Sequence, residues 1–446
     1  MKKIMKKALI SGIVVIVLVC AFMLSAFAAS YEHLADDLKD LGLFRGTDIG
    51  YELDRAPNRD EALVMLIRLL GLEDAALSGD YENPFDDVPD WFAPYAGYAY
   101  EFGLTDGISA TQFGPKLVCT SQMYVTYVLR ALGYDDKAGD FTYAGAVEFG
   151  KSVGVTDDLL ASGAFLRDQM VAISYLALNT APKGGEFDTL LAKLIDAGAV
   201  SEADAGATLN KLAMIREYLA ASTATDDMTR IAMVMSMDMK MALLGQSVDM
   251  VMDTSVKRIE EDSDILIEMS MDISAMGESD SITMYIVDGY VYMDDGVNKI
   301  KMAADDANVS GMVDMADINM MSISPAYSIS GISKSAEDGY TVYTIVFAEG
   351  FSEAVISQAS GLLGSSELDA MGMSDISVNA LDVKVYIDSA GVMSKTVVTM
   401  DMVINMDVMG TALSVPCTAV VGIEIVATGD DVTISLPDDL DTYILS

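Results

Sequence analysis

Five methionines alternate along one short segment, and their thioethers are the side chains of this sequence with the most distinctive binding chemistry. The segment reads "MVMSMDMKMALLG" and covers residues 233 to 245. Successive side chains of an extended strand face opposite ways, so the spacing predicts a strand with all five methionines on one face. The segments that follow repeat the alternation. The predicted face comprises Met233, Met235, Met237, Met239, Met241, Met250, Met252, Met269 and Met271.

Three uses of this methionine face remain open. Thioethers are soft ligands that select Cu(I), and 25 of the 32 methionines lie after residue 225. Copper sites usually combine Met with His or Cys, however, and this part of the chain has no histidine and one cysteine, Cys417. Unbranched, polarizable side chains also suit a pliable cavity for a lipid or another hydrophobic ligand. The third use is an ordinary core between sheet and helix, and we predict no metal and no other cofactor.

Side chains suited to catalysis are sparse. His33 is the only histidine, which excludes multi-histidine metal clusters and leaves at most one histidine-based triad. The chain has no Gly-x-Ser-x-Gly elbow, no Ser-x-x-Lys, no phosphate-binding glycine loop and no Cys-x-x-Cys. A hydrolase that uses a carboxylate pair is a competing class, because any two of the 68 acidic residues could form one. We predict that the protein is not an enzyme.

The charge balance limits the partners. Acidic residues outnumber basic ones by 68 to 27, so the surface repels phosphate backbones and anionic head groups. Nucleic acid and direct membrane-surface binding are therefore disfavoured, and we predict no nucleic-acid partner. After residue 225 there are 37 acidic and 9 basic residues. No loop there has the ligand spacing of an EF-hand, and solvation and repulsion between sheet edges account for the charge.

The first residues carry an export signal. Four lysines, an apolar run from Ala8 and small residues ahead of Ala29 predict a secretory signal peptide over residues 1–28, with a retained N-terminal anchor as the alternative. No later apolar run approaches the roughly 20 residues that span a bilayer. We therefore expect no transmembrane helix after signal cleavage.

Three segments between residues 31 and 180 share a helix, loop and helix plan. They cover about 31–72, 84–134 and 140–180. In the first, Asn58 is a good N-cap for the second helix and Gly71 ends it. Such repeats bury their apolar faces against one another. Two further helical patterns predict a helical connector over residues 181–225.

The second of these segments resembles the S-layer homology domains, which tether exported proteins to bacterial cell walls. The resemblance rests on "FDDVPDWFAPYAGYAYEFGLTDG", residues 85–107, with its Phe-x-Asp-Val, Trp and Gly-Leu-x-x-Gly elements. It extends over about residues 31–180. It implies a three-pronged helical arrangement whose inter-repeat grooves hold a secondary cell-wall polysaccharide, often one that carries pyruvate ketals.

In that family an arginine at the start of each second helix helps to hold the acidic sugar. The matching stretches are "PNRDE", "CTSQM" and "FLRDQ", so Arg59 and Arg167 carry over, while the second repeat has Ser121. Trp91 carries over as the family's tryptophan. A guanidinium beside a helix N-terminus is a good carboxylate receptor, which agrees with this role.

The residues alone leave alternatives for two of these positions. Arg59 could be a solvated surface residue or a partner of the neighbouring Asp60 and Glu61. Trp91 could be a buried packing residue, because large aromatic side chains dominate small cores. The leucine stripes of these segments are predicted to be core.

From about Asp226 the hydrophobic period changes from 3.6 to 2, which predicts a second domain over residues 226–446. Turn signals such as Asp288-Gly289 and the "EDG" of 337–339 predict hairpins. One helix is expected near "FSEAVISQASGLLG" and a looser apolar segment at 311–321. The fold class is mostly antiparallel α+β, a curved sheet with one or two helices and with one apolar and one acidic face. It resembles the lipoprotein-carrier type of half-barrel.

These expectations combine into a multidomain protein with all-α repeats followed by a β-rich domain. We predict an exported cell-wall protein of a Gram-positive-type bacterium. Its repeats bind secondary wall polysaccharide. Its β-rich domain is a binding or scaffolding domain that is displayed at the surface. The alternative is a carrier of a lipid or another hydrophobic ligand.

Overall fold

The computed structural model describes residues 31–243, 246–261, 264–275, 277–303, 325–351, 373–408 and 411–445. They fall into two compact units, one within residues 30–213 and the other from residue 214 onward. The predicted signal peptide, the apolar segment at 311–321 and nearly all of the helix expected near 351–364 lie outside the described residues. Across the part that is described, no helix combines the length and apolar character needed to cross a bilayer.

The first unit is helical, as predicted. Its helices are α1 (Glu32–Asp40), α2 (Arg59–Leu69), α3 (Glu73–Ser78), α4 (Ala93–Glu101), α5 (Ser121–Ala131), α6 (Ala146–Val153), α7 (Asp158–Ala161), α8 (Arg167–Leu178), α9 (Leu190–Asp196) and α10 (Glu202–Asp226), the last of which runs on into the second unit. A short 3-10 turn, Tyr143–Gly145, precedes α6.

Local signals explain where the second helices of the first two segments begin and end. At the start of α2 the Glu61 carboxylate accepts a hydrogen bond from the Asn58 N–H at 2.9 Å, half of a capping box. At the start of α5 the Thr120 hydroxyl accepts from the Met123 N–H at 3.3 Å. Gly71 and Gly133 follow the two helices with φ of +64° and +93°, a conformation that favours glycine.

Buried aromatic and leucine side chains fill the core of this unit. The largest include Leu34 of α1, Phe92, Phe113, Tyr124 of α5 and Tyr175 of α8, all less than 2% exposed. The helical segments therefore share one interior. That these segments are S-layer homology repeats stays a prediction.

The second unit is built on one sheet, and its largely antiparallel character confirms that part of the predicted fold class. The strands are β1 (Arg230–Leu243), β2 (Gln246–Glu261), β3 (Asp264–Ala275), β4 (Glu278–Val287), β5 (Tyr290–Asp294), β6 (Lys299–Ala303), β7 (Ile329–Glu337), β8 (Tyr340–Phe347), β9 (Met373–Ile387), β10 (Met393–Val408), β11 (Thr411–Thr428) and β12 (Ile444–Leu445). Their order is β12-β6-β5-β4-β3-β2-β1-β11-β10-β9-β8-β7, in which the β12–β6 pair is parallel and the others antiparallel.

Two of the predicted turns are tight two-residue connections. Asp288 and Gly289 join β4 to β5 with φ of 52° and 75°, and Asp338 and Gly339 join β7 to β8 with φ of 50° and 88°. Positive φ at both central residues matches the right-handed twist of the flanking strands. The register of these hairpins is thereby fixed by local sequence.

The end of α10 packs against this sheet. Tyr218, Ala221 and Thr225 lie on one side of the helix and are at most 3% exposed. The Thr225 hydroxyl accepts a hydrogen bond from the Met393 N–H at 3.1 Å. Residues that we interpreted as the end of a spacer therefore contribute to the interior of the β-rich unit.

Candidate functional site

The start of each second helix in the first unit is held by a loop from a different segment. At the start of α2, the Arg59 N–H donates to the Leu117 carbonyl at 2.9 Å and the Asp60 N–H to the Pro115 carbonyl at 3.2 Å. These loop residues precede α5 and belong to the second segment. We call this junction, with the side chains that surround it, the Arg59 groove.

The start of α8 repeats this arrangement with the loop of the first segment. The Arg167 N–H donates to the Arg55 carbonyl at 2.9 Å and the Asp168 N–H to the Leu53 carbonyl at 3.1 Å. We call this junction the Arg167 groove. At the start of α5, the Ser121 hydroxyl donates to the Ala161 carbonyl at 3.3 Å. The three segments thus bind one another in a closed ring with three junctions.

Arg59 is buried at this junction. The residue is 4% exposed, its Nε donates to the Phe113 carbonyl at 2.9 Å, and the guanidinium carbon is 4.8 Å from the centre of the Phe113 ring. One terminal nitrogen donates to the Met123 sulfur at 3.3 Å. The interpretation of Arg59 as a solvated residue or as a partner of its neighbouring acids is therefore wrong. The long-range contact with Phe113 buries it.

The mouth of the Arg59 groove carries a lysine that the sequence analysis did not identify. Lys116 Nζ is 2.7 Å from Asp60 Oδ2 and 6.0 Å from the centre of the Trp91 ring. The Lys116 side chain is 69% exposed, whereas Asp60 is fully buried. Lys116 thus brings an accessible positive charge to the start of α2.

Trp91 is 55% exposed, so it is not the buried packing residue of the alternative interpretation. It follows Pro89 and Asp90 and stands immediately before α4, where its ring contacts Phe92 at a centroid distance of 5.5 Å. Phe92 in turn contacts Phe113 at 5.0 Å. The structure therefore brings Trp91 of the second segment to the same groove as Arg59 of the first.

The Arg167 groove has the same backbone but different charges. Arg167 is 5% exposed, its Nε donates to the Tyr51 carbonyl at 2.9 Å, and its guanidinium lies 5.9 Å from the Phe44 ring. Burial lowers the pKa of Arg167 below its ordinary value. Among the described residues, neither this guanidinium nor that of Arg59 forms an ion pair with a carboxylate.

An internal ion network lies beside Arg167. Arg55 binds Glu61 through two hydrogen bonds of 2.7 and 2.8 Å and binds Glu52 through two of 3.0 and 3.2 Å. Burial opposes the ionisation of Glu61, but the hydrogen bonds from Arg55 prevail and lower its pKa. The charge that Arg55 adds to this groove is therefore already neutralised by two acids.

Two further acidic residues belong to the Arg167 groove, one on its loop and one at the start of α8. Burial raises the pKa of the Asp168 carboxyl, and the nearby charge of Asp54 raises it further. Asp54 lies between Leu53 and Arg55, as Lys116 lies between Pro115 and Leu117, so the two residues hold matching positions. One groove has a lysine where the other has an aspartate.

The junction at Ser121 supplies no arginine. Besides the hydroxyl contact to Ala161, the Gln122 side-chain nitrogen donates to the Tyr143 carbonyl at 2.6 Å. Both polar side chains at the start of α5 are thus bonded to backbone. The Arg59 and Arg167 grooves share a backbone plan, whereas the Ser121 junction is joined through side-chain contacts. The three junctions also differ in the charge that they offer a ligand.

The methionine face of the second unit is an interior surface. The five methionines of β1 are at most 9% exposed, and Met250 and Met252 of β2 are 1% and 0% exposed. Met269 and Met271 of β3 are half-buried. The side chains of Ser236, Asp238 and Lys240, which alternate with the β1 methionines, are exposed. The alternation thus separates a buried face from a polar one.

A cysteine lies between two methionines on this face. Cys417 of β11 is directly opposite both Met241 of β1 and Met402 of β10. Burial raises the pKa of the Cys417 thiol to about 12. Soft metals bind the thiolate, so this environment disfavours the form that a copper ion would require.

Two polar side chains interrupt the methionine face. Thr254 of β2 and Thr396 of β10 are 4% and 1% exposed. Within the described part of the chain, neither hydroxyl has a hydrogen-bond partner. The alternation pattern places Thr254 on this face, but nothing in the sequence predicts that its hydroxyl is unpaired.

The family model that matches this chain covers residues 218–427, and its description is a family of unknown function, DUF6612. Three relatives carry names that describe a location. The chain is 31% identical to the middle cell wall protein of Brevibacillus brevis over 146 residues, 30% of this chain and 14% of that protein. It is 29% identical to the surface layer protein of Brevibacillus choshinensis over 144 residues, 30% of this chain and 13% of that one.

The third relative is the cell surface protein of Thermoanaerobacter kivui, 28% identical over 188 residues, 39% of this chain and 24% of that protein. The chain is a bacterial cell-surface protein. The predicted location and the predicted resemblance to wall-associated proteins are thereby confirmed. The chain spans between 13% and 24% of the length of these three relatives.

The similarity of this chain to solved structures is low. LprF from Mycobacterium bovis is 12% identical, with a TM-score of 0.27 and coverage of 50% of this chain and 95% of that one. A putative outer membrane lipoprotein-sorting protein domain from Vibrio parahaemolyticus is 13% identical, with a TM-score of 0.16 and coverage of 51% and 95%.

Proposed function

We propose that this protein is a non-catalytic surface protein that its helical unit attaches to the cell wall. The ligand is an anionic secondary wall polysaccharide, bound at the junctions between the three helical segments. The observation that carries the proposal is the Arg59 groove. There an exposed tryptophan, an accessible lysine and a helix N-terminus lie together.

The chemistry of the groove fits an acidic sugar. The first N–H groups of α2 are already hydrogen-bonded, so the helix start contributes only its partial positive charge, which favours a nearby carboxylate. The Trp91 ring offers an apolar face for a sugar ring, and Lys116 Nζ can donate to a ligand anion from its position beside that ring. The names of the relatives, which refer to cell wall and surface layer, support wall attachment.

A pelleting assay tests this function. The full chain is mixed with purified wall sacculi, with and without extraction of the secondary polysaccharide by hydrofluoric acid. We expect the chain to sediment with untreated sacculi and to stay in the supernatant with extracted ones. Equal sedimentation with both preparations, or none with either, contradicts the proposal.

A second candidate function is a carrier of a hydrophobic ligand in the β-rich unit. The specific observation in its favour is the pair of unpaired hydroxyls, Thr254 and Thr396, on an otherwise apolar methionine face. Such groups suit a ligand with an apolar chain and hydrogen-bonding atoms. The methionines of β1 and β2 are buried in this structure, so a carrier would have to open that part of the face.

Mass spectrometry of organic extracts tests this second function. A carrier purified from its natural host should release a lipid in roughly stoichiometric amount. The double variant Thr254→Val and Thr396→Val should retain less of it. An extract without any bound molecule, together with no uptake of a fluorescent fatty acid, removes the carrier hypothesis.

A further inference from the structure

We propose that the two arginine grooves are not equivalent. The Arg59 groove takes the wall anion, with Lys116 as the residue that determines charge specificity, and Asp54 excludes the anion from the Arg167 groove. This inference rests on the proposed wall-binding function. It goes further because it assigns the ligand to one junction and names the side chains that decide it.

The buried arginines cannot by themselves distinguish the grooves. Arg59 and Arg167 are 4% and 5% exposed, and each donates its Nε to a loop carbonyl at 2.9 Å. Each guanidinium also lies against an aromatic ring, Phe113 in one groove and Phe44 in the other. Both arginines thus have the same structural role, which is to fasten a loop to a helix start.

The two grooves differ in the charge that a ligand can reach. Lys116 is held only at its tip, by Asp60, and 69% of its side chain is exposed. An arriving carboxylate can therefore share Nζ with Asp60 without a change in the backbone. Trp91, 6.0 Å from Nζ, offers the neighbouring surface for the sugar ring.

The matching position of the Arg167 groove has the opposite sign. Asp54 stands where Lys116 does, on a loop whose next residue, Arg55, already binds Glu52 and Glu61. Asp168, the counterpart of Asp60, adds another acid to the same junction. The Arg167 groove thus has four carboxylates for two arginines. In the other groove Arg59 and Lys116 stand with two carboxylates, Asp60 and Asp87, and Asp87 accepts from the Phe113 and Gly114 N–H groups at 2.8 Å. An acidic sugar therefore meets more repulsion in the Arg167 groove.

A charge exchange between the two grooves tests the inference. The full chain is compared with the variants Lys116→Asp, Asp54→Lys and the double exchange in the sacculus pelleting assay at one fixed salt concentration. Lys116→Asp should need at least 10-fold more sacculi for half-maximal pelleting. The double exchange should recover most of that loss, because it places a lysine in the groove of Arg167.

Two controls keep the test specific. Lys137→Asp makes the same charge change at another exposed lysine, which lies just after the second segment and whose side chain is 64% exposed, and should pellet like the natural chain. Lys116→Gln removes the charge without repulsion of Asp60, and should lose several-fold in binding while circular dichroism shows that the helical unit stays folded.

The outcomes separate this inference from the proposed function. If the natural chain does not pellet with sacculi, the proposed function fails. If it pellets and Lys116→Asp and Lys116→Gln pellet equally well, Lys116 does not determine specificity and the inference is overturned. If Lys116→Asp is weak but the double exchange recovers nothing, Asp54 is not what excludes the anion.

Discussion

Thr254 and Thr396 lie on the same cross-strand row of the methionine face. Thr254 is opposite Met235, Met235 is opposite Ile423, and Ile423 is opposite Thr396. The two side chains therefore share one face, three strand spacings apart, or roughly 14 Å. Both hydroxyls are buried, and neither is hydrogen-bonded within the described residues.

Replacement of either threonine by valine should stabilise the β-rich unit. A buried hydroxyl without a partner has lost its hydrogen bonds to water, and valine has nearly the same shape without that cost. We expect a gain of about 1 kcal/mol in the free energy of unfolding for each variant. Urea unfolding followed by far-UV circular dichroism measures it.

The control for these variants is Thr399→Val. Thr399 is on β10 as well but is exposed, so its hydroxyl stays hydrated and the change should be near zero. A loss of stability in Thr254→Val or Thr396→Val would show that the hydroxyls are bonded in solution, to water or to a ligand.

Lys116→Gln should also weaken the helical unit. The variant leaves the fully buried Asp60 carboxylate without its lysine partner. Because Lys116 is largely exposed and solvent screens the pair, we expect the free energy of unfolding to fall by about 1 kcal/mol. Trp91 is the only tryptophan of the chain, so its fluorescence during urea unfolding reports this unit alone.

The matched variant for this prediction is Lys137→Gln. Lys137 binds Asp106, whose side chain is 43% exposed and remains hydrated when the lysine is lost. Its unfolding midpoint should equal that of the natural chain. Equal midpoints for both variants would mean that Asp60 does not depend on Lys116.

Local patterns made much of the fold predictable. The apolar periods of 3.6 and 2 identified the helical and sheet parts, because each period is set by the geometry of one element. Asp288-Gly289 identified a hairpin because the turn itself requires positive φ. The packing of α10 on the sheet was not predictable, since Thr225 and Met393 meet across 168 residues.

The grooves were predictable in part. The resemblance gave Arg59 and Trp91, but Arg59 reaches Phe113 across 54 residues, and no local pattern shows that this contact buries it. Lys116 belongs to no motif. One signal could have identified it: Lys116 precedes Ser121 by the same number of residues as Asp54 precedes Arg59.

Loss of side-chain volume on the methionine face should destabilise the β-rich unit more than a change of side-chain shape at nearly constant volume. Met237 is 1% exposed, so Met237→Ala leaves a cavity and should cost about 2 to 5 kcal/mol in the free energy of unfolding. Met237→Leu keeps the volume and should cost less than about 1.5 kcal/mol. Ser236→Ala, on the exposed face, should change stability by no more than about 0.5 kcal/mol.

Circular dichroism during urea unfolding ranks these three variants. We expect Met237→Ala to be the least stable variant, Met237→Leu to be intermediate and Ser236→Ala to be the most stable. If alanine at Met237 were no more disruptive than alanine at Ser236, the methionines of β1 would not be buried in solution.

Acid should loosen the Arg167 groove through Glu61. Although burial opposes its ionisation, hydrogen bonds from Arg55 lower the pKa of Glu61 from its ordinary value of 4.5 in the folded chain. A carboxyl with a lower pKa in the folded than in the unfolded state adds stability above its unfolded pKa, and that stability is lost as pH falls through the folded value. The urea midpoint reported by Trp91 should therefore fall as the pH is lowered below 4.5, and the fall should be smaller in Glu61→Gln.

The control is Glu101→Gln, which changes an exposed acid on α4 and should follow the natural chain. Identical pH profiles for the natural chain and both variants would mean that the Arg55–Glu61 contact contributes nothing to stability.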